Sequence, residues 1–223
     1  MESLTLPASL KTIQGSSISY TYNSQLYYYM YSEAFMNCPN LKVLDMSACE
    51  NLTEIPARFI SNAVSLETLL LPPNLVKLHS WAFGNASDRI VSLKAPAMIS
   101  LKEIIIPASV TDIGCEVFYG CESLEKVTFE SGSALTRLGV EAAPDSDPFW
   151  GLNIFANTPA LNTVVLPDNL ALIGIGCFEN SGVANIQLPA SVKSICEAAF
   201  RNCDNLKEVA LSAELALLGN EAF

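Results

Sequence analysis

Histidine is nearly absent from this chain, and that single scarcity removes much of enzymology. The only one, His79, has no cysteine or serine nucleophile and carboxylate spaced around it as a triad requires. Basic residues are also few. Twelve Lys and Arg face 23 Asp and Glu, giving a formal net charge of -11. Without a basic patch, nucleic acid and anionic membrane are poor partners. No apolar run reaches the length needed to span a bilayer. Glycines are scattered singly, so no phosphate-cradling loop is present. No Cys-x-x-Cys pair occurs and the cysteine count, seven, is odd, which argues against a zinc site or a disulfide framework. One isolated bridge between neighbouring units stays open as an alternative. The first residues also lack a basic segment followed by an apolar stretch, so they do not read as a signal peptide.

What the chain has instead is repetition. Eight copies of a 23-residue phrase begin at Met1, Leu41, Leu66, Leu101, Leu124, Leu161, Val183 and Leu206. A fixed period of this length means stacked coils rather than one globular core. Positions 4 and 6 of each copy are apolar, as in Ile104 and Ile106 or Ile186 and Leu188, which predicts a short strand. Proline at position 7 (Pro7, Pro72, Pro107, Pro167 and Pro189) ends it, because proline has no N–H for a ladder. A second apolar pair follows three residues apart, as in Val110 and Ile113, and then a Gly column that includes Gly114, Gly139, Gly174 and Gly219.

Position 18 forms an aromatic spine of Phe35, Phe83, Phe118, Phe155, Phe178, Phe200 and Phe223, with Ile60 in the second copy. Stacked rings supply apolar area that one coil alone cannot bury. Position 20 is Asn37, Asn62, Asn85, Asn157, Asn180 and Asn202, with one exception. These asparagines are expected to form a buried ladder that satisfies backbone groups in turns; an exposed Asn row that binds a ligand is the competing reading. Position 21 is small, and takes Cys38, Cys121 and Cys203 in three copies, so those cysteines read as small buried hydrophobes.

The combination Leu-x-x-Ile/Val-x-Leu-Pro-x-Ser-Val-x-x-Ile-Gly-x-x-Ala-Phe-x-x-Cys resembles the leucine-rich repeat subfamily named after the BspA surface antigen, a pattern also found in a treponemal membrane protein. The resemblance covers nearly the whole chain. It implies a leucine-rich repeat solenoid: a right-handed superhelix of about eight 23-residue coils with a parallel β-sheet, short strands, turns and short helical segments. It also implies a cell-surface or secreted setting and adhesion to other proteins or cells. It marks no individual binding residue and calls for no cofactor.

The period fails in three places, near residues 15–32, 87–100 and 140–153. Insertions in repeat proteins go to loops, often on the binding side. The first carries Tyr20, Tyr22, Tyr27, Tyr28, Tyr29 and Tyr31, the third Phe149 and Trp150. With Trp81, the residues Tyr27, Tyr28, Tyr29, Tyr31, Phe149 and Trp150 are the candidate binding residues, since Tyr and Trp combine area with a polar tip. The same residues could equally fold down and cover the solenoid edge. Tyr20 and Tyr22 alternate with polar residues, as an added strand would. Asp145 and Asp147 are candidate calcium ligands, but the glycine and distal glutamate of a calcium loop are missing, so a solvated acidic loop is the competing reading.

The expectation is therefore a single leucine-rich repeat domain over 1–223, and the array starts and stops inside copies, as a piece of a longer one would. A complete chain whose ends are covered by dimerisation is the rival. Three functions stand: a non-catalytic cell-surface module that binds protein partners through the solenoid face and aromatic loops; a carbohydrate-binding module; and a structural stalk. No membrane insertion is expected in this segment.

Overall fold

A computed structural model describes residues 1–22, 25–32, 34–84, 100–141 and 152–223. The copies stack as coils whose short strands fall into two separate rows; the first copy adds a strand only to the first of these rows and the eighth only to the second. The first row holds β1 (Ser3–Thr5), β5 (Val43–Asp45), β8 (Thr68–Leu70), β10 (Glu103–Ile106), β12 (Lys126–Phe129), β14 (Thr163–Val165) and β16 (Asn185–Ile186). The second holds β6 (Glu54–Ile55), β9 (Lys77–Leu78), β11 (Asp112–Ile113), β13 (Arg137–Leu138), β15 (Leu172–Ile173), β17 (Ser194–Ile195) and β18 (Leu217–Leu218). Pairing within both rows is parallel and in phase, for example Ile104 with Val127, Val127 with Val164 and Val164 with Ile186. In-phase pairing puts identical repeat positions over one another, so the inward columns fuse into one continuous apolar core. Where proline follows a first-row strand, its carbonyl accepts the amide three residues on, as Pro107 does from Val110 and Pro167 from Leu170, which turns the chain into the next side of the coil.

The third side is built on the phenylalanine column. The amide of position 18 donates to the position-17 carbonyl of the next coil at every step: Phe35 to Phe59, Ile60 to Ala82, Phe83 to Val117, Phe118 to Ile154, Phe155 to Cys177, Phe178 to Ala199 and Phe200 to Ala222. Two further strands, β4 (Phe35–Met36) and β7 (Ile60–Ser61), mark its first step. The expected short helical segments are not found among the described residues. Amides that would close an i→i−4 helix are bonded to the neighbouring coil instead, as Trp81 is to Cys115, Glu116 to Leu152 and Asn153 to Ile175.

The ring stack corrects one assignment. In the second coil the backbone of Ile60 is in register with Phe35, but the ring between Phe35 and Phe83 is that of Phe59, one residue earlier. Its contacts are edge-on, with interplanar angles of 81° and 76°. From Phe118 to Phe223 the rings lie parallel, within 11° of each other, with centroids 5.2–5.6 Å apart.

The asparagine column is a ladder, but a surface one rather than a buried one. Asn62 donates to Asn37 at 3.0 Å, Asn180 to Asn157 at 3.1 Å and Asn202 to Asn180 at 2.8 Å. Its five described members all have left-handed backbone, with φ between 54° and 58°, and the one copy without Asn has Gly120 at φ 70°. Asparagine and glycine are the residues that tolerate that conformation, so the column is set by backbone geometry as much as by the side-chain bonds. The Gly column has another cause, close approach of coils. A Cβ on Gly114 would lie 2.5 Å from the Ser80 amide nitrogen, and one on Gly219 2.3 Å from that of Glu197.

The inserted residues of the first coil form an antiparallel hairpin of β2 (Ser16–Tyr22) and β3 (Gln25–Tyr31).

Candidate functional site

The first strand row has one face turned inward and one outward. On β10 the alternation places Ile104 and Ile106 in the core and Glu103 and Ile105 outside. Position 5, between the two core columns, carries the outward side chain at the centre of each strand. In three copies it is a large apolar residue left in solvent: Leu70 is 42% exposed, Ile105 57% and Val165 46%. The register aligns Ile105, Thr128 and Val165 across β10, β12 and β14. Beside this row the charges are self-paired, Lys126 with Glu103 at 3.8 Å and Lys102 with Glu125 at 3.4 Å. Opposite charges cancelled along the rim leave the apolar row as the dominant feature of the face. Toward the last coils the same side opens into a hollow of about 1050 Å³, lined among others by Val165, Asn185, Gln187, Lys207 and Glu208.

Sequence reasoning passed over Leu70, Ile105 and Val165 because apolar residues in a strand were credited to the core. The signal was their odd position, since other copies carry Thr5, Asp45, Thr128 or Gln187 there.

In the hairpin register Tyr20 pairs with Tyr27, Ile18 with Tyr29 and Ser16 with Tyr31. The expected extra strand over Tyr20 and Tyr22 is β2. Between Ser16 and Tyr31 the sequence contains no Asp, Glu, Lys or Arg.

Trp81 does not belong to a binding surface. It is 3% exposed, and its indole nitrogen donates to the Glu116 carboxylate at 2.9 Å; Glu116 is itself only 5% exposed. Phe149, Trp150, Asp145 and Asp147 lie outside the described residues, as does most of the middle insertion. Among the described residues no group of three His, Cys, Asp or Glu could hold a metal ion. His79 is half-buried and bonded to Glu54 at 2.9 Å.

None of the seven cysteines is in a disulfide, and all but Cys38 are buried. Burial pushes the thiols of Cys177, Cys196 and Cys203 above their ordinary range, with Cys196 at about 11. A nucleophilic cysteine needs the opposite shift. No helix among the described residues is long and apolar enough to cross a membrane.

The sequence profile of the BspA type leucine-rich repeat region matches residues 1–90, 93–142 and 150–223, in six copies. No curated protein matches the chain. Among solved structures, the chain is similar to a leucine-rich repeat protein of Treponema pallidum, with 20% identity and a TM-score of 0.53 over 97% of this chain and 72% of that one. It is also similar to a leucine-rich repeat protein of Bacteroides ovatus, with 23% identity and a TM-score of 0.48. That match covers 98% of this chain but only 57% of the Bacteroides protein. A leucine rich cell surface protein of Faecalibacterium prausnitzii matches at 23% identity and a TM-score of 0.40, over 86% of this chain and 59% of that one.

Proposed function

Because the chain belongs to the family of BspA-type leucine-rich repeat proteins, we propose that it is a non-catalytic recognition module at a cell surface, binding protein partners through the outward face of its first strand row. The observation that carries this reading is the row of Leu70, Ile105 and Val165, three large apolar side chains exposed at one repeat position while their own strands bury the neighbouring columns. Exposed large apolar side chains recurring at one position of a sheet face, rimmed by charges, are a usual form of protein-binding patch. Burial-raised thiols and a lone half-buried histidine offer no catalytic group, and membership of the BspA-type family supports the cell-surface setting.

The test is binding of the purified protein to an array of extracellular and bacterial surface proteins. Saturable binding to at least one of them should be lost on combining Ile105→Asp with Val165→Asp, with circular dichroism unchanged. Binding that survives both substitutions would place the interface elsewhere.

A second reading, carbohydrate recognition, is favoured by the hairpin alone: β2 and β3 carry six tyrosines and no charged residue. Aromatic rings with hydroxyl tips suit a neutral polar ligand. Glycan-array binding lost in Tyr27→Ala or Tyr29→Ala but intact in the Ile105→Asp, Val165→Asp protein would select it.

A further inference from the structure

At five steps of the first strand row one coil hands a fixed pair of hydrogen bonds to the one before it; the step from β8 to β10, where the row breaks, has none. The carbonyl of Glu2 accepts from Lys42 and Val43, that of Lys42 from Glu67 and Thr68, that of Lys102 from Glu125 and Lys126, that of Glu125 from Asn162 and Thr163, and that of Asn162 from Ala184 and Asn185. The next member is the Ala184 carbonyl, and neither Lys207 nor Glu208 bonds to it. Yet the eighth coil is docked on its other sides. Ala216 and Leu217 donate to the Lys193 carbonyl, and Phe200 donates to that of Ala222. The unpaired stretch is also pinned before and after. Asn205 donates to the Gly182 carbonyl at 3.4 Å, and Ser212 to that of Ala190 at 2.6 Å. Between those two points no backbone bond joins the segment to β16, and the hollow of about 1050 Å³ opens over both, lined by Thr163 and Val165 of β14 as well as by Asn185, Gln187, Lys207 and Glu208.

We propose that this gap is a slot for an extended segment of a partner polypeptide, added to the sheet along the free edge of β16. The polarity of the edge follows from the pairing. Asn185 directs its amide to β14, so the alternate groups, the Ala184 carbonyl, both backbone groups of Ile186 and the Leu188 amide, point into the slot. A buried or half-buried edge of this kind is a template for strand addition. Ile186 is buried and Leu188 half-buried at the inner wall, while Asn185 and Gln187 are exposed at the outer one. The segment that fits is therefore apolar at alternate positions and uncharged between them. This goes beyond the proposed recognition role, since the slot uses backbone groups and stands whether or not the row at Ile105 matters.

The probe is a fluorescein-labelled peptide copying Leu161–Leu166, an uncharged segment of the chain's own with Val164 and Leu166 two apart. Its anisotropy is measured against the intact protein. Saturable binding is expected, weakened about tenfold or more when alternate amides of the peptide are N-methylated, since each removes a backbone bond. A protein carrying Asn185→Cys and Glu208→Cys, residues at the same repeat position in adjacent coils, should close the slot on oxidation, lose the peptide, and regain it on reduction. The proposal is overturned by absence of saturable binding, by indifference to N-methylation in the unmodified protein, or by binding that survives the closed disulfide. It is overturned in favour of a second copy if sedimentation shows a dimer that only the oxidised lock dissolves. The Ile105→Asp, Val165→Asp protein should still bind the peptide, which separates this outcome from the fate of the apolar face.

Discussion

The indole nitrogen of Trp81 donates to the Glu116 carboxylate at 2.9 Å across the step from the third coil to the fourth, and both residues sit in left-handed backbone, at φ 59° and 53°. They occupy position 16, which is left-handed in every coil from the second on: Arg58, Trp81, Glu116, Asn153, Gly176, Ala198 and Glu221. Replacing Trp81 by Phe keeps a ring and deletes the donor beside a buried carboxylate. The expected loss is about 1–3 kcal/mol, read as a lower urea midpoint at unchanged slope. Glu116→Gln, which keeps an acceptor, should cost less than Glu116→Ala.

The asparagine ladder gives a paired comparison. Asn180 is bonded on both sides, to Asn157 and Asn202, at φ 54°. Asn180→Gly loses the bonds but not the backbone conformation, whereas Asn180→Ala loses both and adds about 1–2 kcal/mol of left-handed strain. Thermal unfolding should rank alanine below glycine. Gly120→Asn should be accepted within about 0.5 kcal/mol, since Asn is the other residue at ease there. Equal midpoints for the two Asn180 variants would show that the backbone does not set this column.

Phe118 is fully buried between the rings of Phe83 and Phe155. Phe118→Ala should destabilise by about 3–5 kcal/mol through lost transfer energy and a cavity in the middle of the stack. Phe223→Ala, at a ring that is half exposed, should cost far less in the same denaturant titration.

The thiols predict an alkaline limit. Burial first, and Glu141 second, raise Cys196 from 9.0 to about 11. A thiol held protonated by the fold contributes its full stability below pH 9, where both states keep the proton. Above that the unfolded chain ionises first, so stability falls as pH rises toward 11. Cys196→Ala should flatten that fall between pH 9 and 11. At neutral pH a thiol reagent should modify only Cys38 rapidly, the one cysteine that is not buried; the others should react on unfolding.

Legibility in the sequence followed how far backbone geometry constrains residue type. The strand columns, the proline turn and the phenylalanine spine each demand a narrow chemistry, so they recur visibly and fix the coil. Position 20 accepts little besides Asn and Gly and was equally visible, although its exposure was not. Position 16 has the same left-handed requirement, but Trp81, Glu116 and Ala198 meet it through tertiary bonds, so no column emerges. That is why Trp81 looked like an unplaced aromatic fit for a surface. Phe59 was missed because its ring enters the stack from the adjacent position. The apolar row at Leu70, Ile105 and Val165 was hidden in plain view, as hydrophobicity alone does not tell the two faces of a strand apart.

The two strand rows are interrupted at different heights. The first breaks between β8 and β10, where β9 and β11 of the second are paired; the second breaks between β11 and β13, where β10 and β12 of the first are paired. The phenylalanine stack and its amide bonds run through both levels without a gap. The joints are thus offset like those of coursed masonry. A tensile or thermal load meets intact bonding at each level, so the halves on either side of the insertions should not come apart as separate blocks but should melt together.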